Sequence, residues 1–217
     1  MTHEADGAPT FDLKVGEFLD TLASGEPAPG GGAAAAVAGA MGAALVSMVC
    51  GLTIGREKYK DVEAELGAVS AAATMARANF LLLSQRDQDA FTAVMQAFRL
   101  PKGTDAEKLG RQAAIQAGLQ EATRVPLSTL QQAVELLPGA LTAIDKGNAN
   151  ARSDAASAYF LTQAAADGAL LNVKINLGGL KDEDFKQGIL AAVKRALDER
   201  RRHEERAAEL IRRHFPD

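Results

Sequence analysis

The sequence predicts an all-α protein, a bundle of long Ala- and Gly-rich helices, on three observations. Hydrophobic residues make up 47% of the 217 residues, enough for a sizeable core, yet aromatics are 5% and Trp is absent. Ala has the highest helix propensity, and small side chains let helix axes approach closely. No long alternating run of Val, Ile, Tyr and Thr offers a strand.

Phe11, Val15, Phe18 and Leu22 step by four, three and four, giving a first helix one apolar face, with Thr10 as its N-cap. The Pro- and Gly-rich stretch from Ala23 to Gly32 ends that helix and turns the chain into the next. Ala33 to Ile54 is uncharged and long enough to span a bilayer, but its Ala, Gly and Ser content assigns it to a buried helix ending near Gly55. Arg56 to Lys60 is a charged connector. A helical pattern then runs from about Asp61 to Leu100 and stops at Pro101. Thr104 and Glu107 have capping-box spacing and open a helix reaching about Arg124, before Pro126. Leu127 to Asp145 is read as a further helix, kinked at Pro138.

After a loop over Lys146 to Asn150, an Ala-rich helix is expected from about Ser153 to Leu171. Asn172 to Gly179 reads as extended or irregular, and a charged helix closes the chain from Asp182 to His214. With no repeat or linker, residues 1–217 form one domain, of which 1–9 are expected to be flexible. An unbroken forty-residue helix would be about 60 Å long, more than the width of a globule of this size, so a homodimer is expected.

Composition also excludes functions. The net charge of −4, and the alternation of Arg200, Arg201 and Arg202 with Glu199, Glu204 and Glu205, describe a solvated helix face and no nucleic-acid partner. The polar, acidic N-terminus lacks the features of a signal peptide, and neither it nor the Ala-rich helix implies a membrane partner. Cys50 is the only cysteine, so no intrachain disulfide forms and a cytoplasmic, reducing location is expected. His3, His203 and His214 lie near the ends, with no metal-ligand spacing, so no metal is expected. Cys50 sits among Met48, Val49 and Leu52 and reads as a buried structural thiol. Acid–base chemistry therefore falls to carboxylates, Lys or Tyr.

Three segments offer such chemistry. Pro29, Gly30, Gly31 and Gly32 precede a helix and form either a plain turn or a cradle whose bare backbone meets a ligand. The entropy cost of three consecutive glycines favours the ligand. No Gly-Lys-Ser/Thr follows and no strand precedes, so the loop is neither a P-loop nor a dinucleotide fingerprint. Asp87 is four before Phe91 and seven after Phe80, so of Asp87 and Asp89 it is the inward candidate, the other reading of the pair being a solvated acidic turn. Asn148, Asn150, Ser153 and Asp154 read either as an Asx turn with an N-cap or as amides and a carboxylate held at a helix entrance.

Taken together, these segments resemble the formiminotetrahydrofolate cyclodeaminase/methenyltetrahydrofolate cyclohydrolase family. The resemblance rests on Leu22–Gly32, Gly39–Leu45, Leu52–Gly55 with Lys58-Tyr59, Asp87–Phe91, Gly147–Asn150, Ser153-Asp154 and Asn172–Asn176, in that order. It implies an all-helical homodimer with a folate cleft and no metal or redox cofactor. The glycine loop, Lys58, Tyr59, Asp87, Asp154, Asn172 and Asn176 then become cleft residues.

The expected reaction is hydrolysis of 5,10-methenyltetrahydrofolate to 10-formyltetrahydrofolate. The alternatives are cyclodeamination of 5-formiminotetrahydrofolate and a non-catalytic helical scaffold. Hydrolysis is preferred because the sequence has no room for the transferase domain that would supply the formimino substrate. In this reading Asp87 or Asp154 serves the bridge carbon, Tyr59 or Lys58 donates the proton, and Arg56 or Lys58 meets the glutamate tail.

Overall fold

The computed structural model describes residues 14–216, so Thr10, Phe11 and the stretch 1–9 lie outside the described residues. Six α-helices run in order: α1 (Val15–Leu22), α2 (Gly31–Gly51), α3 (Glu63–Arg99), α4 (Asp105–Lys146), α5 (Arg152–Leu177) and α6 (Glu183–His214). Short 3₁₀ turns over Glu57–Val62 and Ala149–Ala151 link α2 to α3 and α4 to α5. No strand occurs among the described residues. α1 opens at Val15, where Lys14 is extended and its N–H donates to Glu17 Oε2 at 3.0 Å.

Helices α2 to α5 form a ring in which each packs on its neighbours in the chain, and α5 closes back on α2. Short connections make successive helices antiparallel. α6 lies along the outside of α4. The core is mainly aliphatic, with Leu66, Leu130, Leu137, Leu141 and Ile144 fully buried around the ring of Phe80.

Close approach around α2 depends on missing side chains. A Cβ at Gly39 would lie 2.6 Å from the Phe80 ring, and one at Gly42 would lie 2.7 Å from Thr162 Oγ1. α3 and α5 therefore seat directly on the α2 backbone. By length and composition α2 and the stretch Glu57–Arg99 are long and apolar enough to cross a bilayer; in the bundle α2 buries one side against α3 and α5. Cys50 is fully buried, and burial pushes its thiol up to about 11.

The structure corrects two boundaries. The helix expected to stop before Pro126 and the one expected from Leu127 are a single helix, α4, running through both Pro126 and Pro138. A proline inside a helix removes the N–H that would bind the carbonyl four residues earlier. For Pro126 that carbonyl belongs to Ala122, and Asn176 Nδ2 on α5 donates to it at 2.6 Å. Packing supplies the hydrogen bond that the local sequence lacks.

The second correction concerns Asn172 to Leu177, expected to be irregular but forming the last turns of α5. Val173 is fully buried there, and Asn172 Nδ2 donates to Gly168 O at 2.9 Å, so core packing and a local bond override weak helix propensity.

One prediction follows from the Ala122 carbonyl. Asn176→Leu should lower unfolding stability by about 1–3 kcal/mol, because it leaves a carbonyl in the bundle without a donor. Adding Pro126→Ala restores the intrahelical N–H and should recover most of that loss in urea titrations. An unrecovered loss would show that Asn176 stabilises the bundle by another route.

The closing helix begins as expected, with Asp182 Oδ1 accepting from Phe185 N–H at 2.9 Å. Arg201 and Arg202 pair along the helix with Asp198 and Glu199. Arg200 instead turns inward and pairs with Asp167, tying α6 to α5.

Candidate functional site

The residues singled out from the sequence fall at two opposite ends of the bundle. At one end, the turn over Pro27 to Gly30 delivers the chain into α2, and Gly30 is the extended N-cap residue. Pro29 is buried beneath this turn, and Pro27 and Ala28 line the cavity instead.

Asp87 reaches from α3 to the first turn of α2. Its carboxylate accepts a hydrogen bond from Ala33 N–H, and a Cβ at Gly32 would sit 2.3 Å from its Oδ1. Only glycine fits at position 32 while Asp87 holds this position. At Gly31 the demand is milder, since a Cβ would meet Asn172 Nδ2 at 3.4 Å, an ordinary contact. Burial raises the Asp87 carboxyl above its usual value, with the Ala33 N–H pulling the other way.

These groups line a cavity of about 330 Å³ between the start of α2 and helices α3, α4 and α5. Gly30, Gly31, Gly32, Asp87, Asn172 and Asn176 form its polar side, and Phe91, Val94 and Ile175 its apolar side. The cavity thus brings together the glycine loop, Asp87, Asn172 and Asn176. Gln88, Val94, Leu119, Ala122 and Ile175 also line it, without having been singled out as site residues from the sequence. Gln88 and Val94 share α3 with Asp87, and Ile175 is one turn from Asn172, a spacing that counts only once α5 continues past Leu171.

At the opposite end lie Arg56, Lys58, Tyr59, Asn148, Asn150, Ser153 and Asp154. Tyr59 OH accepts from Ala149 N–H at 3.1 Å, and Lys58 Nζ lies 5.3 Å over the Tyr59 ring. The Ala149 N–H, with Lys58 and Arg152 nearby, holds the Tyr59 phenol below its ordinary value. Asp154 is half-buried in the first turn of α5, and Arg56, Lys58, Asn150 and Ser153 are exposed. Arg152, also half-buried, adds a cation that the sequence reading did not single out.

Asn148 is structural here. Its N–H donates to Thr53 Oγ1 at 2.8 Å, its Nδ2 to Leu52 O at 2.9 Å, and its Oδ1 accepts from Asn150 N–H at 3.1 Å. These bonds pin the α4–α5 loop to the end of α2.

Within one chain the two ends do not meet. Asp154 and Asn172 sit near opposite ends of α5, about 27 Å apart at the helical rise. Asp87 and Asp154 therefore do not converge inside a single subunit, and Arg56 and Lys58 are equally remote from the cavity. The cause is the antiparallel ring, which places the two ends of α2 at opposite poles.

Fold and cavity define an all-helical protein with a carboxylate-centred site, in which a raised carboxyl sits at a helix N-terminus beside an apolar wall. The chain belongs to the formiminotransferase-cyclodeaminase family, whose model matches residues 14–195. It is 45% identical over 195 residues to the methenyltetrahydrofolate cyclohydrolase of Methylorubrum extorquens, covering 90% of this chain and 94% of that one. It is 35% identical to the formimidoyltransferase-cyclodeaminase of Sus scrofa over 84% of this chain, but it spans only 34% of that longer protein. Its structure is similar to the crystal structure of formiminotetrahydrofolate cyclodeaminase from Thermotoga maritima. The TM-score is 0.82 at 30% identity, covering 93% of this chain and 96% of that one.

Proposed function

We propose that this chain hydrolyses 5,10-methenyltetrahydrofolate to 10-formyltetrahydrofolate, with no metal or redox cofactor. The observation that carries the reading is the Asp87 carboxyl, raised by burial in a cavity with one polar and one apolar wall. The similarity to the Methylorubrum cyclohydrolase over nearly the whole of both chains supports it.

The flat pteridine suits the wall of Phe91, Val94 and Ile175. The methenyl bridge carries a delocalised cation on N5–C–N10, which a carboxylate stabilises. Asp87 takes a proton from a water as its oxygen bonds to the bridge carbon. The tetrahedral adduct then loses its C–N5 bond, N5 receives a proton, and the N10-formyl product forms with net release of one proton. A carboxylate whose acid is held above its usual value is the stronger base, and takes the water proton more readily than an ordinary one.

Cyclodeamination is the second reading, favoured by the likeness to the Thermotoga cyclodeaminase. There N10 attacks the formimino carbon and ammonia leaves. Each substrate should be supplied separately, with loss of the methenyl ultraviolet chromophore followed for one and ammonia release for the other. Efficient ammonia release with negligible methenyl hydrolysis would reverse the assignment.

The working unit is proposed to be a homodimer with composite sites. α2 carries no charged residue, and its outer face runs through Val37, Met41, Leu45, Met48 and Leu52, of which Met41, Met48 and Leu52 are exposed. That apolar stripe extends from the Asp87 end to the Tyr59 end. Two copies pairing antiparallel on it about a twofold axis would set Asp87 against the partner's Tyr59 and Asp154.

The test mixes two weakened variants. Asp87→Asn and Asp154→Asn, each defective alone, should recover about a quarter of wild-type turnover when dimers form at random, because each mixed dimer holds one intact site. No recovery in a confirmed mixed dimer would put the two carboxylates in unrelated places. Light scattering that gives a monomer at micromolar concentration would remove the dimer itself.

A further inference from the structure

Two asparagines line the Asp87 cavity from α5, and the structure fixes which way each side-chain amide faces. Asn172 Nδ2 donates to Gly168 O at 2.9 Å, and Asn176 Nδ2 donates to Ala122 O at 2.6 Å. A carbonyl oxygen only accepts, so neither amide can be turned over without losing its bond. Asn176 is held the more firmly. Pro126 offers Ala122 O no N–H, and the asparagine is the donor that takes its place.

The consequence lies on the other side of each amide. Among the described residues neither Oδ1 accepts a hydrogen bond, so both oxygens keep their lone pairs for a ligand. The two residues are four apart on α5, which puts them on one face with about 6 Å between them. This wall is therefore a pair of acceptors at a fixed spacing, and it is matched by a ligand edge that carries two N–H donors.

The opposite wall sets which edge that is. α3 and α5 stand diagonally in the ring of helices, so Asp87 and the two asparagines lie on opposite walls of the cavity. In a reduced pterin N8 lies across the pyrazine ring from N5, and its N–H shares one edge with the 2-amino group. A ring whose N5 bridge meets Asp87 turns that N8 and 2-amino edge towards α5.

We propose that Asn172 and Asn176 form an acceptor pair that reads the N8–H and 2-amino edge of the pterin, and so selects the reduced ring. The inference rests on the folate reading of the Asp87 cavity. A fully oxidised pterin has no hydrogen on N8, and its N8 lone pair would meet an Oδ1 lone pair with no donor between them. A site built around a hydrogen bond rejects an analogue that lacks the partner group, because its own polar atom is left unpaired. The pair thus sets specificity at the ring and takes no part in the chemistry at the bridge carbon.

The test measures calorimetric affinity of wild type and Asn172→Leu for three ligands. These are tetrahydrofolate, its 8-deaza analogue, in which a methylene replaces the N8–H, and folic acid. Wild type should bind tetrahydrofolate about tenfold or more tighter than either of the others, the scale of one unpaired polar group. In Asn172→Leu the difference should shrink to about threefold or less, because tetrahydrofolate binds more weakly while the 8-deaza analogue keeps or gains affinity. The Asn172 side chain bonds only within its own helix, and an unchanged circular dichroism melt shows that the variant is folded. The wild-type comparison needs no variant and decides the matter if the variant unfolds. Equal wild-type affinity for tetrahydrofolate and its 8-deaza analogue overturns the acceptor pair even while methenyl hydrolysis proceeds. Equal losses for all three ligands in the folded variant would give Asn172 a purely structural place and overturn it too. Binding of no folate, with no turnover, overturns the folate reading and the acceptor pair with it.

Discussion

Asp87→Asn is expected to lower methenyl hydrolysis by about a hundredfold or more, the usual scale for removing a general base. Asn keeps the shape, and its Oδ1 can still accept from Ala33 N–H, so the α2–α3 contact survives. The sign of the pH effect follows from the direction of the shift. Burial raises the Asp87 carboxyl, so the folded state favours the protonated form. The stability associated with this group is complete below the ordinary carboxylate value and is lost as pH rises through the raised folded value. At neutral pH the charged form is therefore a local cost, and Asp87→Asn should melt at or slightly above the wild-type temperature.

Activity should run the other way. Wild-type turnover falls as pH drops through the raised value, because the base becomes protonated, and the variant should lack that acidic limb. Wild-type turnover in Asp87→Asn would remove this carboxylate from the mechanism. A large fall in melting temperature would mark its role as structural.

Gly32→Ala should have a comparable effect from a smaller change. Its Cβ would fall 2.3 Å from Asp87 Oδ1 and 2.6 Å from Cγ, so the carboxylate must leave its position or α2 must move off α3. A displacement of about 1 Å at a reacting group can cost a hundredfold in rate. The expected signature is a fall in kcat of about that size, with retained helicity and a lower melting temperature. Gly31→Ala should cost much less, because its Cβ meets only Asn172 Nδ2 at 3.4 Å. Equal losses at the two positions would mean that the loop acts as a plain turn rather than by holding Asp87.

Much of the fold was legible because it follows from local rules. Small residues marked α2 as the helix that others approach, and the spacing of Asp87 to Phe80 and Phe91 set its inward face. Thr104 caps α4 as the capping box requires, its Oγ1 accepting from Glu107 N–H at 3.2 Å, and Asp182 caps α6 as read. Gly30 to Gly32 indicated close approach of a ligand to backbone, although the group that makes glycine obligatory at position 32 is Asp87 itself.

The misread parts were those where a distant residue supplies what a local window lacks. Pro126 reads as a helix stop until Asn176, fifty residues on, satisfies Ala122 O. Asn172 to Leu177 reads as irregular until Val173 is seen buried in the core. Periodicity, capping and composition determined the helical class, the helix faces and the candidate residues, because each depends on neighbours within a turn or two. Only the tertiary structure decided which candidates share a cavity, because the antiparallel ring sends the two ends of α2 to opposite poles, and no sequence spacing encodes that separation.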